Sequence, residues 1–235
     1  MKLEICANSY QSAKNAQIAG AKRIELCSEL SIGGITPSYG LLKQVVEELD
    51  IETFVLIRPR SGNFFYSEAE FEIIKKDIQI CKKLGCHGIV SGVLNKDNTI
   101  DIERTQELIE LSKPLPFTFH RAFDVVPNPK DALKQLIELG VERILTSGQH
   151  PKAINGLETL KELNKQAKNR IIILVGSGVS SENAQTFKDA SFDEIHASAS
   201  QVINTESSSY FGNTPQTVSS TKEIKAILKV IADEV

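Results

Sequence analysis

Nowhere in its 235 residues does the chain approach the ~18 uninterrupted apolar residues that a membrane-spanning helix needs, so no membrane partner is expected. The first residues, Met1-Lys2-Leu3-Glu4-Ile5-Cys6, carry a charge at position 4 and read as a strand, not as a signal peptide. Cysteine is scarce. The four at positions 6, 27, 81 and 86 are too few to staple a fold that, at this length, already buries roughly 70% of its unfolded surface. The expected compartment is the reducing cytoplasm. Excess positive charge is missing as well: a net charge of −3 and a pI near 5.9 give no basic field for nucleic-acid backbones, and no nucleic-acid-binding motif is present. Cys6-Ala7-Asn8-Ser9-Tyr10 stands where a doubly wound sheet would carry its Gly-rich dinucleotide turn, so no nucleotide cofactor is expected.

What is present is an alternation of short β-branched runs and longer helical patterns, the mark of βα units and a parallel sheet. Eight strands are expected, at Leu3 to Ala7, Arg23 to Leu26, Phe54 to Ile57, Gly88 to Val90, Phe117 to Phe119, Arg143 to Leu145, Ile171 to Val175 and Glu194 to His196. Helix starts are marked by Thr36-Pro37, by Asn128-Pro129, and by capping boxes at Ser67 to Glu70 and Ser220 to Glu223. Apolar residues then recur at helical spacing, as in Phe71, Ile74, Ile78 and in Ile224, Ile227, Leu228, Ile231. Cys81 continues the first stripe and is read as core. A loop residue four positions before a strand isoleucine recurs at Gly20/Ile24, Gly85/Ile89, Gly140/Ile144 and Ser191/Ile195. Glycine suits a helix end that needs positive φ. No linker divides the chain. The expected fold is a single-domain TIM-like (β/α)8 barrel over residues 1–235, a fold that typically takes ~250 residues; an open doubly wound sheet is the rival. A Ser/Thr-rich loop at 201–221, before the last helix, is read either as a lid or as a connection without a role.

Chemistry in such a barrel sits at the C-terminal ends of the strands. Polar residues gather there. Glu4, Glu25, Arg58 and His120 lie in or at the end of strands, where burial requires partners, and they are expected to partner one another in the mouth. Arg58 and Arg60 flank Pro59 and fall on one side if the backbone stays extended, forming a trap for a carboxylate or phosphate. His120, Arg121 and Asp124 add an imidazole, a third guanidinium and a carboxylate; a histidine oriented by an aspartate is a workable general acid or base. Catalytic roles are accordingly assigned to His120, Asp124 and Glu25. Val175-Gly176-Ser177-Gly178 follows the seventh strand, where many barrels bind phosphate at a helix N-terminus, so Ser177, Gly178 and His196 join Arg58, Arg60 and Arg121 as substrate-binding candidates. Cys6 and Cys27 end neighbouring strands. Two soft thiolates with no third ligand at fixed spacing suit Cu(I) better than tetrahedral Zn(II); the alternative is two cysteines buried as small hydrophobes.

At these residues the sequence resembles the CutC family, in seven ordered motifs from Glu4-Ile5-Cys6 through Gly20 to Cys27, Gly33 to Ser38, Ile57 to Arg60, Thr118 to Asp124 and Arg143 to Gly148 to Glu194 to Ser198. The resemblance implies a TIM-like barrel in the cytoplasm, self-association as a homo-oligomer, here expected to be a dimer, and copper homeostasis through Cu(I) held by Cys6 and Cys27. Asn63, where the family usually has aspartate, and Ser177, where it usually has glycine, depart from the pattern. The alternative function is an enzyme acting on a small anionic or phosphorylated metabolite.

Overall fold

A computed structural model describes residues 1–204 and 215–232. Eight parallel strands close into a barrel in sequence order, β1 (Lys2–Ala7), β2 (Arg23–Leu26), β3 (Glu52–Leu56), β4 (Gly88–Ser91), β5 (Phe117–Phe119), β6 (Arg143–Thr146), β7 (Ile172–Gly176) and β8 (Glu194–Ala197), with β8 pairing back onto β1. Around them run α1 (Tyr10–Ala19), α2 (Tyr39–Glu48), α3 (Glu68–Leu84), α4 (Ile102–Ser112), α5 (Pro129–Glu138), α6 (Leu157–Ala167), α7 (Ala184–Asp189) and α8 (Thr221–Ile231). All eight expected strands form. The expected single-domain TIM-like (β/α)8 barrel is therefore observed, and the doubly wound alternative is excluded by the closing β1–β8 pair.

The repeat before the strands has the expected cause. Gly20, Gly85, Gly140 and Ser191 all take a left-handed backbone, with φ of 98°, 84°, 78° and 59°. Ser67 and Glu70 form the reciprocal capping box of α3, and Asn128 caps α5 ahead of Pro129. Two start signals act differently. The α2 cap is Ser38, whose hydroxyl accepts from the Leu41 N–H, because Thr36 is drawn away: its hydroxyl accepts the Arg58 N–H at 2.9 Å. At α8 Ser220 makes no side-chain cap, and Glu223 instead accepts from the backbone N–H and hydroxyl of Ser181, tying the helix to the loop after β7. Of the Ser/Thr-rich stretch 201–221, residues 205–214 lie outside the described residues. Its flanks are not loop but β9 (Ser200–Asn204) and β10 (Gln216–Ser219), an antiparallel ribbon.

Between barrel and helices lies an apolar shell to which α3 contributes Phe71, Ile74, Ile78 and Cys81, and α8 contributes Ile224, Ile227 and Ile231. The barrel interior is different. Alternation along β1, β2 and β8, with Glu4 in register with both Arg23 and His196, turns charged side chains inward. Arg23, with no exposed surface, donates through Nε to Glu4 at 2.5 Å and through both terminal nitrogens to Glu194, which also accepts from Arg143 Nε at 3.1 Å. The Phe54 ring lies beneath both guanidinia, 4.9 Å from Arg23 and 5.2 Å from Arg143. Gly88 makes room for it, since a Cβ there would sit 2.5 Å from that ring. Charges this deep persist only because each finds an opposite charge and hydrogen bonds.

Removing one partner should be costly. Arg23→Met leaves Glu4 deprived of its guanidinium and Glu194 with Arg143 alone, and is expected to destabilise the fold by about 3–5 kcal/mol. The midpoint of urea unfolding measures this; a change within a few tenths of a kcal/mol would contradict it.

Candidate functional site

The strand ends open into a cavity of about 440 Å³. One side of it is the thiol corner. Cys6 is the penultimate residue of β1 and Cys27 follows β2; both are buried and their sulfurs lie 3.7 Å apart. Glu25 and His196 stand beside them, and the donor atoms of Cys6, Glu25 and His196 all lie within 4.8 Å of one another. His196 is held at both ring nitrogens, Nδ1 at 2.8 Å from Glu4 and Nε2 at 3.5 Å from Glu25. The corner is thus coupled through Glu4 to the buried Arg23.

These contacts set the proton affinities. Burial alone would raise Glu4, but the His196 hydrogen bond and the Arg23 charge outweigh it and hold the carboxyl at about 2. Burial pushes Glu25 up to about 7, with the Glu4 charge adding to the effect and His196 opposing it. Burial disfavours the His196 cation, yet its bonds to Cys6 and Glu4 and the charge of Glu25 raise it well above the ordinary imidazole value. The Cys6 thiol is pushed up by its contact with Cys27 and by burial.

The other side of the cavity is cationic. Arg58 is buried, donates to the carbonyls of Ile32, Gly34 and Gly62 at 2.9–3.1 Å, and lies over the Phe64 ring. Arg60 does not join it. The chain bends after β3, and Arg60 turns outward to pair with Glu70 and to donate to the carbonyls of Asn63 and Phe65. The extended backbone required for a paired-arginine trap is not there. Asn63 accordingly serves Arg60 and not the cavity, its Oδ1 accepting at 3.2 Å.

The expected His120–Asp124 couple is also not formed. His120 Nδ1 accepts the Ala122 N–H at 3.2 Å, which closes the turn after β5. Asp124 faces the other way and accepts from Thr146, Ser147 and Arg121. Burial, with Arg58 adding to it, holds the His120 imidazole down to about 3, so it is a neutral donor, not a proton shuttle. Nor do Glu4 and Glu25 partner Arg58 or His120; Arg23 and His196 take those places. Ser177 and Gly178 line the cavity at φ of 84° and 71°, but Ser177 donates to the Pro151 carbonyl at 2.7 Å and α7 begins only at Ala184, so no helix N-terminus faces the cavity there. Ser177 holds a positive φ that glycine would adopt without steric cost. His196 belongs to the thiol corner, not to an anion subsite. Arg23, Glu194, Arg143 and Phe64 escaped sequence reading; the first three begin strands and look like polar strand edges, and only the register shows that they point inward.

The sequence of residues 1–201 matches the profile of the CutC family. The chain belongs to the CutC family. The "Copper homeostasis protein cutC homolog" of Homo sapiens is 48% identical over 198 residues, 84% of this chain and 72% of that protein. A family protein CutC of Proteus mirabilis is 44% identical over 233 residues, 99% of this chain and 92% of its own length. A crystal structure of a copper homeostasis protein CutC from Streptococcus agalactiae superposes with a TM-score of 0.79 at 37% identity, covering 84% of this chain and 98% of that one. Among the described residues of this CutC chain, no helix is long and apolar enough to cross a membrane.

Two buried groups of this CutC mouth should mark the pH dependence of stability with opposite signs. His120, neutral when folded, contributes stability that is complete above pH 6.5 and lost as pH falls toward 3. Glu25, raised to about 7 from 4.5, costs stability as pH rises through that interval. Relative to the parent, His120→Gln should therefore lose less Tm on going from pH 6.5 to 4.5, and Glu25→Gln should lose less on going from pH 4.5 to 7. Parallel Tm–pH curves would contradict both assignments.

Proposed function

We propose that this chain binds Cu(I) at Cys6 and Cys27 and serves cytoplasmic copper homeostasis, with the copper ion as cargo. The observation that carries the reading is the pair of buried sulfurs 3.7 Å apart at the mouth of the barrel. Soft thiolates favour soft ions. Metal–thiolate bonds of about 2.3 Å set in a straight line would hold the sulfurs about 4.6 Å apart, so the shorter spacing here favours a bent arrangement with room for a third donor. His196 Nε2 and the Glu25 carboxylate are within reach to supply it. Spacing in the sequence offered no such ligand; the closing of β8 against β1 brings His196 to the thiols. The names borne by the relatives support the same role. Binding requires that each thiol give up its proton and that His196, held at Nδ1 by Glu4, give up the one on Nε2 before that nitrogen can serve as the third donor, so metal uptake should release protons.

Anaerobic competition against a calibrated Cu(I) chelator tests the reading. One ion per chain is expected to be withheld from the chelator by the parent. Cys6→Ser with Cys27→Ser should abolish this, while His196→Ala, which removes a third donor, should weaken it by at least about tenfold. Arg60→Gln, outside the cavity, should have no effect. Competition that survives loss of both thiols would overturn the assignment.

A further inference from the structure

The cavity is larger than an ion requires. Its volume of about 440 Å³ falls in the range of small-molecule pockets, and its walls are apolar at Leu30 and Leu56, which pack against the cysteines, and at Phe64 and Leu145. Just after β3 and β5 stand two groups whose bonding is incomplete. Because His120 Nδ1 accepts the Ala122 N–H, the proton of its neutral ring resides on Nε2, and this buried N–H has no partner among the described residues. Arg58 is a buried cation whose terminal nitrogens donate to backbone carbonyls, with the Tyr66 phenol nearby, and its Nε–H is unpartnered too. The Phe64 ring joins them, 4.9 Å from the His120 ring and 5.0 Å from the Arg58 guanidinium. Among the described residues no acid pairs with that charge. Asp124 is taken up by Arg121, Thr146 and Ser147, and Glu25 faces His196 across the cavity. A buried charge and a buried donor left without partners each cost free energy that a ligand oxygen would recover.

The geometry points to a second subsite, in which His120 Nε2–H and the Arg58 cation receive the carboxylate of a small organic monoanion whose apolar body fills the rest of the cavity. A phosphate dianion fits less well. It asks for several donors around three oxygens, whereas α7 begins only at Ala184 and the Ser177 hydroxyl is taken by the Pro151 carbonyl. This assigns His120 as a hydrogen-bond donor to ligand and removes Arg60 and Asp124 from contact with it. The subsite stands independently of the metal assignment, since neither His120 nor Arg58 is hydrogen-bonded to Cys6 or Cys27.

Thermal stabilisation by isobutyrate and by inorganic phosphate, each matched in ionic strength with chloride, tests it. Isobutyrate at tens of millimolar should raise Tm in the parent and equally in Cys6→Ser with Cys27→Ser, whereas phosphate should not. His120→Leu should weaken the isobutyrate response at least tenfold, and His120→Gln, which keeps a side-chain N–H, should restore most of it. Should His120→Leu fail to fold, the Nε2–H resonance of His120 in the parent is read instead, and it should shift on addition of isobutyrate. No stabilisation by isobutyrate, an equal response to phosphate, a response indifferent to His120→Leu, or an unmoved Nε2–H resonance would each overturn the subsite. Loss of the isobutyrate response in the thiol double variant would contradict its independence from the metal corner.

Discussion

Arg23 is the group on which the rest of the barrel interior depends. It is wholly buried and shared between Glu4 and Glu194, with Arg143 on the far side of Glu194 and the Phe54 ring below. In a medium of low polarity no member of such a chain can be moved without exposing the next. Glu4 stays ionised because Arg23 and His196 hold it, and His196 stays in place because Glu4 grips its Nδ1. The imidazole then has only its Nε2 edge to offer, and that edge faces Glu25 and Cys6. The arrangement at the mouth is thus fixed from the barrel floor. Arg23 contacts neither sulfur, yet it determines where a histidine stands relative to them.

The cavity above this network has two unlike ends. On the β1, β2 and β8 side are sulfur, imidazole and a carboxyl poised near neutrality, suited to a thiophilic ion. On the β3 and β5 side are a guanidinium held by three backbone carbonyls and a histidine kept neutral by burial and by that guanidinium. Topology separates them only in part. β5 lies across the closed order from β1, whereas β3 pairs with β2, so Arg58 follows the strand beside the one that precedes Cys27.

Much of the fold was legible in the sequence because it rests on local signals. The glycines Gly20, Gly85 and Gly140 before β2, β4 and β6, the Ser67–Glu70 box and the Asn128–Pro129 cap act within a few residues, and so did the β-branched runs that became β1 to β8. The proximity of Cys6 and Cys27 was legible for a related reason, since they terminate adjacent strands. What failed were inferences that extended a local pattern beyond its range. Arg58 and Arg60 separate because the strand ends at Leu56, so alternation no longer governs which way a side chain points. Asp124 lies four residues from His120 but turns toward β6, where Thr146 and Ser147 offer it three donors. Arg23 and Glu194 looked like strand edges, and their meeting depends on a contact spanning 171 residues that only barrel closure creates.

Under the proposed copper assignment, the thiol pair works with a third donor supplied across the β1–β8 seam. X-ray absorption at the copper edge, on the chain loaded anaerobically with one equivalent of Cu(I), measures this directly. The expected result is a shell of two sulfurs with one lighter nitrogen or oxygen scatterer, the lighter scatterer being absent or altered in His196→Ala. A shell of two sulfurs alone in a straight arrangement, or a shell containing no sulfur, would contradict it.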